Sequence, residues 1–429
     1  MTFPLYTLAY TAAAGLAAPF YLARGLVQGK YLWSLTARLG WSRPLLPAKG
    51  ATRIWIHALS LGEVLSSVEM VKRLAAEGHD LCLSTTTRSG FEAVRRRLNL
   101  FPLTPLPLDF PRSVRRTIEA LSPDLFVLVE TDIWPNLLAG LKRAGVPSVL
   151  AGARVSPRSL AGYRRLGRFW GRVLNHFSLI GCQSDLDRDR MLALGAGFEK
   201  LVVTGSLKFD QPRPETGPEV RARLLAQTGL PEGRWLVAGS THDGEEDVLL
   251  DVFESLLPGF PDLRLLLAPR DQDRFGAVWR LIDKRGLPAG RRGAFPSGRE
   301  VRVFLLDSLG ELDLFYELAR VVFVGKSLPG KGEGGGHNLI EPAARGKPVL
   351  FGPRMHNFPE IARLLAESGG GRRVTGAGDL LVVLTRLLSD DESCREMGLR
   401  AQEALAGHRG AVKKTINLIE RVLAVRSES

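Results

Sequence analysis

The stretch IHALSLGEVLSS, residues 56–67, sets Glu63 just past an apolar, β-branched run and at the start of a helical pattern. Ser60 and Glu63 have the S-x-x-E spacing of a capping box, in which each side chain satisfies an amide that the first turn leaves free. The same place suits a general base, because ligands of parallel sheets sit beyond the carboxyl ends of the strands. Gly62 has no part in a cap, and a helix N-terminus favours an ionised carboxylate, so cap and base are compatible. Glu130, Arg154, Ser206 to Lys208, Ser240 to His242, Arg270 and the turn GGGHNLIEP (334–342) also follow strand-like runs. Glu130 has an alternative use as a cap for the helix expected after Pro135, and His57, inside an apolar strand, reads equally as a satisfied core histidine.

The richest of these segments is GKGEGGGHNLIEPAARGKP, residues 330–348, with five glycines among its first seven positions. Glycine lets the backbone approach a ligand closely, and a helix starting near Asn338 would aim free N–H groups at it. A phosphate is the natural guest, with Glu341 placed to accept from ribose hydroxyls. The plainer reading is a loop capped by Asn338. No G-x-x-x-x-G-K-[ST] occurs, and no G-x-G-x-x-G opens the first strand–helix unit, which disfavours P-loop and dinucleotide-binding folds.

The elements that must hold these residues alternate. Strands are expected at 53–58, 81–86, 103–108, 125–130, 147–152 and 177–182, and again at 234–240, 263–269, 301–307, 320–325, 347–352 and 372–376, with amphipathic helices between them. The proline-rich FDQPRPETGPE, 209–219, reads as a linker. The pattern predicts an α/β protein of two doubly wound, Rossmann-like domains facing a cleft: an anchor at 1–30, a first domain at 31–208, a second at 220–405 and a terminal helix at 406–429.

The chain has 429 residues, a formal charge of +13 and three widely spaced cysteines, Cys82, Cys182 and Cys394. That spacing argues against disulfides and zinc ligation. The charge favours phosphates, acidic sugars or an anionic membrane surface as partners, and no recognised nucleic-acid module accompanies it. Residues 3–23 are uncharged and weakly apolar, and Arg24, Lys30, Arg38, Arg43, Lys49 and Arg53 all precede the first acid, Glu63. This predicts a membrane anchor, spanning or lying flat, with the body of the protein on the cytoplasmic side. VRRRL (94–98) reads as a solvated face, and the arginines and aromatics of 154–172 as an acceptor- or membrane-facing surface.

Taken together, HALSLGEV, ETDIWPNLL, TGSLKFD, GSTHDGEE, LAPRDQDRF, LDSLGELDLFY and GGGHNLIEPAARGKPVLFGP resemble the 3-deoxy-D-manno-octulosonic acid (Kdo) transferases. These are GT-B inner-membrane enzymes that move Kdo from CMP-Kdo to the lipid A precursor. The resemblance implies that Glu63 is the general base and that Glu130 and Lys208 stabilise the transition state. It implies CMP contacts from Pro269 and Arg270, from Leu309, Gly310 and Glu311, and from Asn338, Leu339, Ile340 and Glu341. No cofactor is implied, and a leaving phosphate anion calls for positive charge and helix N–H groups rather than a metal or a general acid. Three places depart from the family pattern: Asp271 stands where histidine is usual, the glycine-rich approach to His337 is longer, and an asparagine expected before Arg154 is missing. Oligomeric state is left open.

Overall fold

The computed structural model of the chain describes residues 3–28, 34–42, 46, 49–210, 214–294, 300–330 and 334–427, without the side chains of 21–28, 157–158 and 427. Lys30, Arg43, positions 211–213 of the expected linker and 331–333 of the glycine-rich stretch lie outside the described residues, as does the side chain of Arg24.

The chain divides into two compact units, residues 1–212 with 408–429, and residues 213–407. In the first, β1 (Arg53–His57), β2 (Asp80–Thr85), β3 (Leu103–Pro105), β4 (Leu125–Val129), β5 (Ser148–Ala153), β6 (Leu179–Cys182) and β7 (Leu201–Val203) form one sheet. Its order is β3-β2-β1-β4-β5-β6-β7, with every pairing parallel. β1 and β4 are buried along their whole length, as expected of strands covered on both faces. Trp55 and Phe126 meet edge to face at 4.8 Å on one side, while Ile54, Ile56, Val127 and Val129 pack on the other. Strand order reverses between β1 and β4.

The terminal helix Ala411–Ser427 belongs to this first unit, where Ile416, Leu418, Ile419 and Val422 join the core beside the helix Leu61–Ala76. Asp210 fixes its start by accepting from the amides of Gly410 and Val412. At the other end of the chain, the helix Pro4–Gln28 is docked through its first turns. Phe3 packs against Phe169 at 5.4 Å, and the Tyr10 hydroxyl accepts from the Asp109 amide at 3.3 Å. Leu5, Leu8, Leu16 and Phe20 are exposed, and no described helix is long and apolar enough to cross a membrane.

The second unit repeats the scheme with β8 (Arg234–Thr241), β9 (Leu263–Pro269), β10 (Ala289–Arg291), β11 (Val303–Leu305), β12 (Ala319–Val324), β13 (Val349–Phe351) and β14 (Gly371–Arg373). The order is β10-β11-β9-β8-β12-β13-β14, again wholly parallel. Here the order reverses between β8 and β12.

Surface expectations divide. Arg95, Arg96 and Arg97 are exposed on a helix whose Val94 is buried, a solvated face as read. In the 154–172 segment, however, Tyr163, Phe169 and Trp170 pack against the core, leaving Arg164, Arg165 and Leu166 outward. Aromatic bodies gain more from burial than the intervening arginines lose, because the arginines can still reach water. All three cysteines are free and buried.

Candidate functional site

In the first unit the reversal of strand order brings together the loops after β1 and β4, where ligands of open parallel sheets bind. Ser60 caps the helix Leu61–Ala76, its hydroxyl accepting from the Glu63 amide. Glu63 reaches back, accepting from the Leu59 amide at 2.7 Å and the Ser60 hydroxyl at 3.1 Å. The capping box is therefore real, with the carboxylate engaging the residue before the cap. It does not keep Glu63 fully ionised. Burial, and then the negative charge of Glu130, push its pKa up to about 7 against the pull of those two hydrogen bonds. A carboxylate that titrates near neutrality, buried at a strand end, has the properties of a general base.

Glu130 follows β4 in the left-handed region at φ 58°, a conformation that costs energy for a residue with a Cβ. It does not cap the next helix, Pro135–Arg143, whose start at Trp134 has no side-chain cap. Its carboxylate instead pairs with Lys208 at 2.6 Å. Arg154 comes alongside through its carbonyl, which accepts from Thr131 Oγ1 at 2.6 Å. His57 is fully buried and has partners at both ring nitrogens: Nδ1 with Ser84 Oγ at 2.9 Å and Nε2 with Asp132 at 3.3 Å. That is the satisfied core histidine. Asp132, which spacing did not single out, also accepts from Trp134 Nε1 at 2.9 Å and contributes to raising Glu63.

The second unit collects its groups at the matching reversal between β8 and β12, and at the neighbouring end of β9. Pro269 closes β9, followed by exposed Arg270, whose amide donates to the Thr241 carbonyl at 3.1 Å. Leu309 is half exposed and Gly310 has φ 85°. The Arg292 guanidinium binds Glu311 at 3.0 Å and holds its carboxyl below the usual range. Leu339 and Ile340 are buried.

The turn at Asn338 differs from the helix start predicted there. Helix begins at Ile340 and runs only to Ala344, and Asn338 Oδ1 accepts from the Ile340 amide at 3.0 Å. Asn338 Nδ2 donates to Glu341 at 3.1 Å. Burial, and then Asp313, push the Glu341 carboxyl up to about 7. The glycines also have an internal reason. Gly334, Gly335 and Gly336 all have positive φ, and a Cβ on Gly335 or Gly336 would strike Asn357 or Met355. Close packing on the 354–357 turn thus demands glycine whether or not a ligand approaches.

Glu245 is a buried carboxylate that the sequence reading placed only within a motif. It accepts from the amides of Lys326 at 2.7 Å, Ser327 at 2.9 Å, Leu328 at 3.0 Å and His242 at 2.9 Å. The protein thereby fills with its own carboxylate the amide nest that would otherwise receive an anion at the end of β12.

The sequence contains Asp-x-Asp spacings at 185–187 and 271–273, but Asp187 is buried and bonded to Ser184 and the Val155 amide. Among the described residues, Glu77, His79 and Glu420 bring three donor atoms within 4.8 Å, next to the amino end of β2.

Two doubly wound parallel units with polar groups gathered where strand order reverses have the GT-B architecture. A glycosyltransferase from Rickettsia africae superposes with a TM-score of 0.58 over 87% of this chain and 100% of its own at 12% identity, a likeness of fold. The model of the 3-deoxy-D-manno-octulosonic-acid transferases matches residues 34–211. The Haemophilus influenzae 3-deoxy-D-manno-octulosonic acid transferase is 35% identical over 86% of this chain and 87% of its own. The Bordetella pertussis 3-deoxy-D-manno-octulosonic acid transferase is 33% identical over 90% and 92% respectively. The chain belongs to this family: it is a Kdo transferase of lipopolysaccharide biosynthesis.

Proposed function

We propose that the enzyme transfers Kdo from CMP-Kdo to the glucosamine disaccharide of a lipid A precursor, lipid IVA, with inversion at the anomeric carbon. Glu63 takes the proton of the acceptor hydroxyl as its oxygen bonds to that carbon. The bond to phosphate breaks on the opposite side, and CMP leaves with the electron pair. The observation that carries this reading is the Glu63 carboxylate, buried at the β1–β4 reversal with a pKa raised to about 7. Such a group is deprotonated often enough to accept a proton and basic enough to hold it.

Glu130 and Lys208, paired at 2.6 Å, are assigned to the transition state, where positive charge builds on the ring and negative charge on the leaving group. Pro269, Arg270, Leu309 to Glu311 and Asn338 to Glu341 are assigned to CMP. The reaction as written uses no metal and no cofactor. Work at the cytoplasmic face of the inner membrane is supported by the exposed Leu5, Leu8, Leu16 and Phe20 on the first helix, and by the absence of any acid before Glu63.

The test is Kdo transfer, with CMP-Kdo generated in the assay and tetraacylated lipid IVA as acceptor, comparing wild type with Glu63→Gln. A variant that folds and binds CMP but does not transfer supports the assignment. Normal transfer by the variant reduces Glu63 to a helix cap, and a wild type that accepts only another nucleotide sugar overturns the donor.

A further inference from the structure

His337 immediately precedes the Asn338–Glu341 run, and no role in it has been assigned so far. Its Nε2 is buried with no hydrogen-bond partner among the described residues. Buried polar atoms are almost always paired, and exceptions gather where a ligand completes them. Thr241, fully buried at the end of β8, carries a second unpartnered polar atom, Oγ1, one residue before His242. The His242 and His337 rings lie 5.2 Å apart.

The position is rigidly built. The Gly336 amide donates to the Lys326 carbonyl at 2.8 Å, and the Lys326 amide donates to Glu245. Lys326 and Ser240 both sit in the left-handed region, at φ 58° and 56°. Neither residue is glycine, so the strain is held in place by the surrounding contacts. The electrostatics are one-sided. Burial first, and then His242, Arg270 and Lys326, push the His337 pKa down to about 3, so the ring is neutral near pH 7. Among the described residues neither Arg270 nor Lys326 forms an ion pair. The acids nearby are Asp271, 4.0 Å from His242 Nε2, Glu245, which accepts from the Lys326 and His242 amides, and Glu341, which feels Arg270 and is about half protonated at pH 7.

We propose that His337, with Lys326 and Arg270, forms an oxyanion pocket for the donor, the neutral imidazole giving a directed N–H bond and the two cations the field. This rests on the donor reading above, which already includes Arg270, and extends it to His337 and Lys326, outside the assigned CMP segments. The donor offers two such oxyanions on neighbouring atoms, the phosphodiester and the carboxylate borne by the anomeric carbon of Kdo. Ordinary aldose nucleotides carry only the first.

The experiment measures Kd for CMP and for cytidine by calorimetry, and KM for CMP-Kdo, in wild type, His337→Ala and His337→Gln. Lys326→Asn is a second variant, since asparagine tolerates positive φ. Loss of one bond to a charged group predicts a roughly tenfold to hundredfold weakening in His337→Ala, partly restored by the amide of His337→Gln. Equal weakening for CMP and CMP-Kdo, with cytidine unchanged, identifies the phosphate. Weakening for CMP-Kdo alone identifies the carboxylate. Wild-type values for both His337→Ala and Lys326→Asn overturn the pocket while leaving the donor reading intact. A wild type that binds no CMP overturns both.

Discussion

The ammonium of Lys208 lies 2.6 Å from Glu130 Oε1, and that same Glu130 raises the pKa of Glu63. One carboxylate therefore serves two partners: a cation that balances it and a candidate base whose proton affinity it increases.

Because Glu63 titrates at about 7, the rate should depend on it in a specific way. With Glu63 as base, kcat/KM falls about tenfold per pH unit on the acid side of a limb near that value. Glu130→Gln removes the second-largest cause of the rise, so its residual activity should show the limb moved to lower pH. A limb that stays in place in the variant would separate Glu63 from the pH dependence. Profiles of kcat/KM for the two proteins decide it.

Stability gives an independent reading of the same group. Its pKa is 4.5 unperturbed and about 7 in the fold, so the folded state holds the proton more tightly. Ionising Glu63 therefore costs stability progressively as pH rises between those values, and the full cost applies above them. Glu63→Gln should melt like wild type near pH 4.5 and be more stable at pH 8, by on the order of 2 kcal/mol. Denaturant unfolding at the two pH values measures the difference.

Glu245→Ala leaves four backbone amides without their acceptor, three after β12 and that of His242 after β8. A loss of roughly 3 kcal/mol or more is expected, with CMP binding lost as Lys326 leaves its strained conformation. Glu245→Gln keeps one acceptor oxygen and should fall between. Urea midpoints and CMP calorimetry report both effects.

Gly335→Ala places a Cβ against Asn357 at φ 120°. The combined strain and clash should cost about 2 kcal/mol or more, even without ligand. A variant as stable as wild type, but defective in CMP binding, would show that the glycine serves the ligand rather than the 354–357 turn.

Ending the chain at Gly407 removes Val412, Ile416, Leu418, Ile419 and Val422 from the core of the first unit. At ~1.5–3 kcal/mol for each fully buried aliphatic side chain, the loss matches a whole domain's stability. The truncated chain should lose the near-ultraviolet circular dichroism of the first unit, and its melting should show only the second.

The local alternation of apolar strands and amphipathic helices was enough to define two doubly wound units, because strands buried on both faces are written as continuous apolar runs such as Leu125–Val129. Strand ends were equally legible, and with them the positions of Glu130 and Arg270 directly after β4 and β9 and of Glu63 in the helix that follows β1. Two edge strands were not: β7 and β10 have three residues each and exist only through their neighbours. Their side chains carry no period long enough to read.

What spacing could not reach was the setting of each group. Sequence placed Glu63 at a helix start that favours its charge; the tertiary structure buried it and set Glu130 nearby, and those two effects outweigh the hydrogen bonds from Leu59 and Ser60 that favour the ionised form. Sequence left His57 open, and Ser84 and Asp132, 27 and 75 residues away, closed it. The helix predicted near Asn338 starts at Ile340 and runs only to Ala344, and the glycines before it proved necessary for packing. In each case the deciding partner is distant in the chain, and desolvation and Coulomb energies depend on positions in space that local periodicity does not encode.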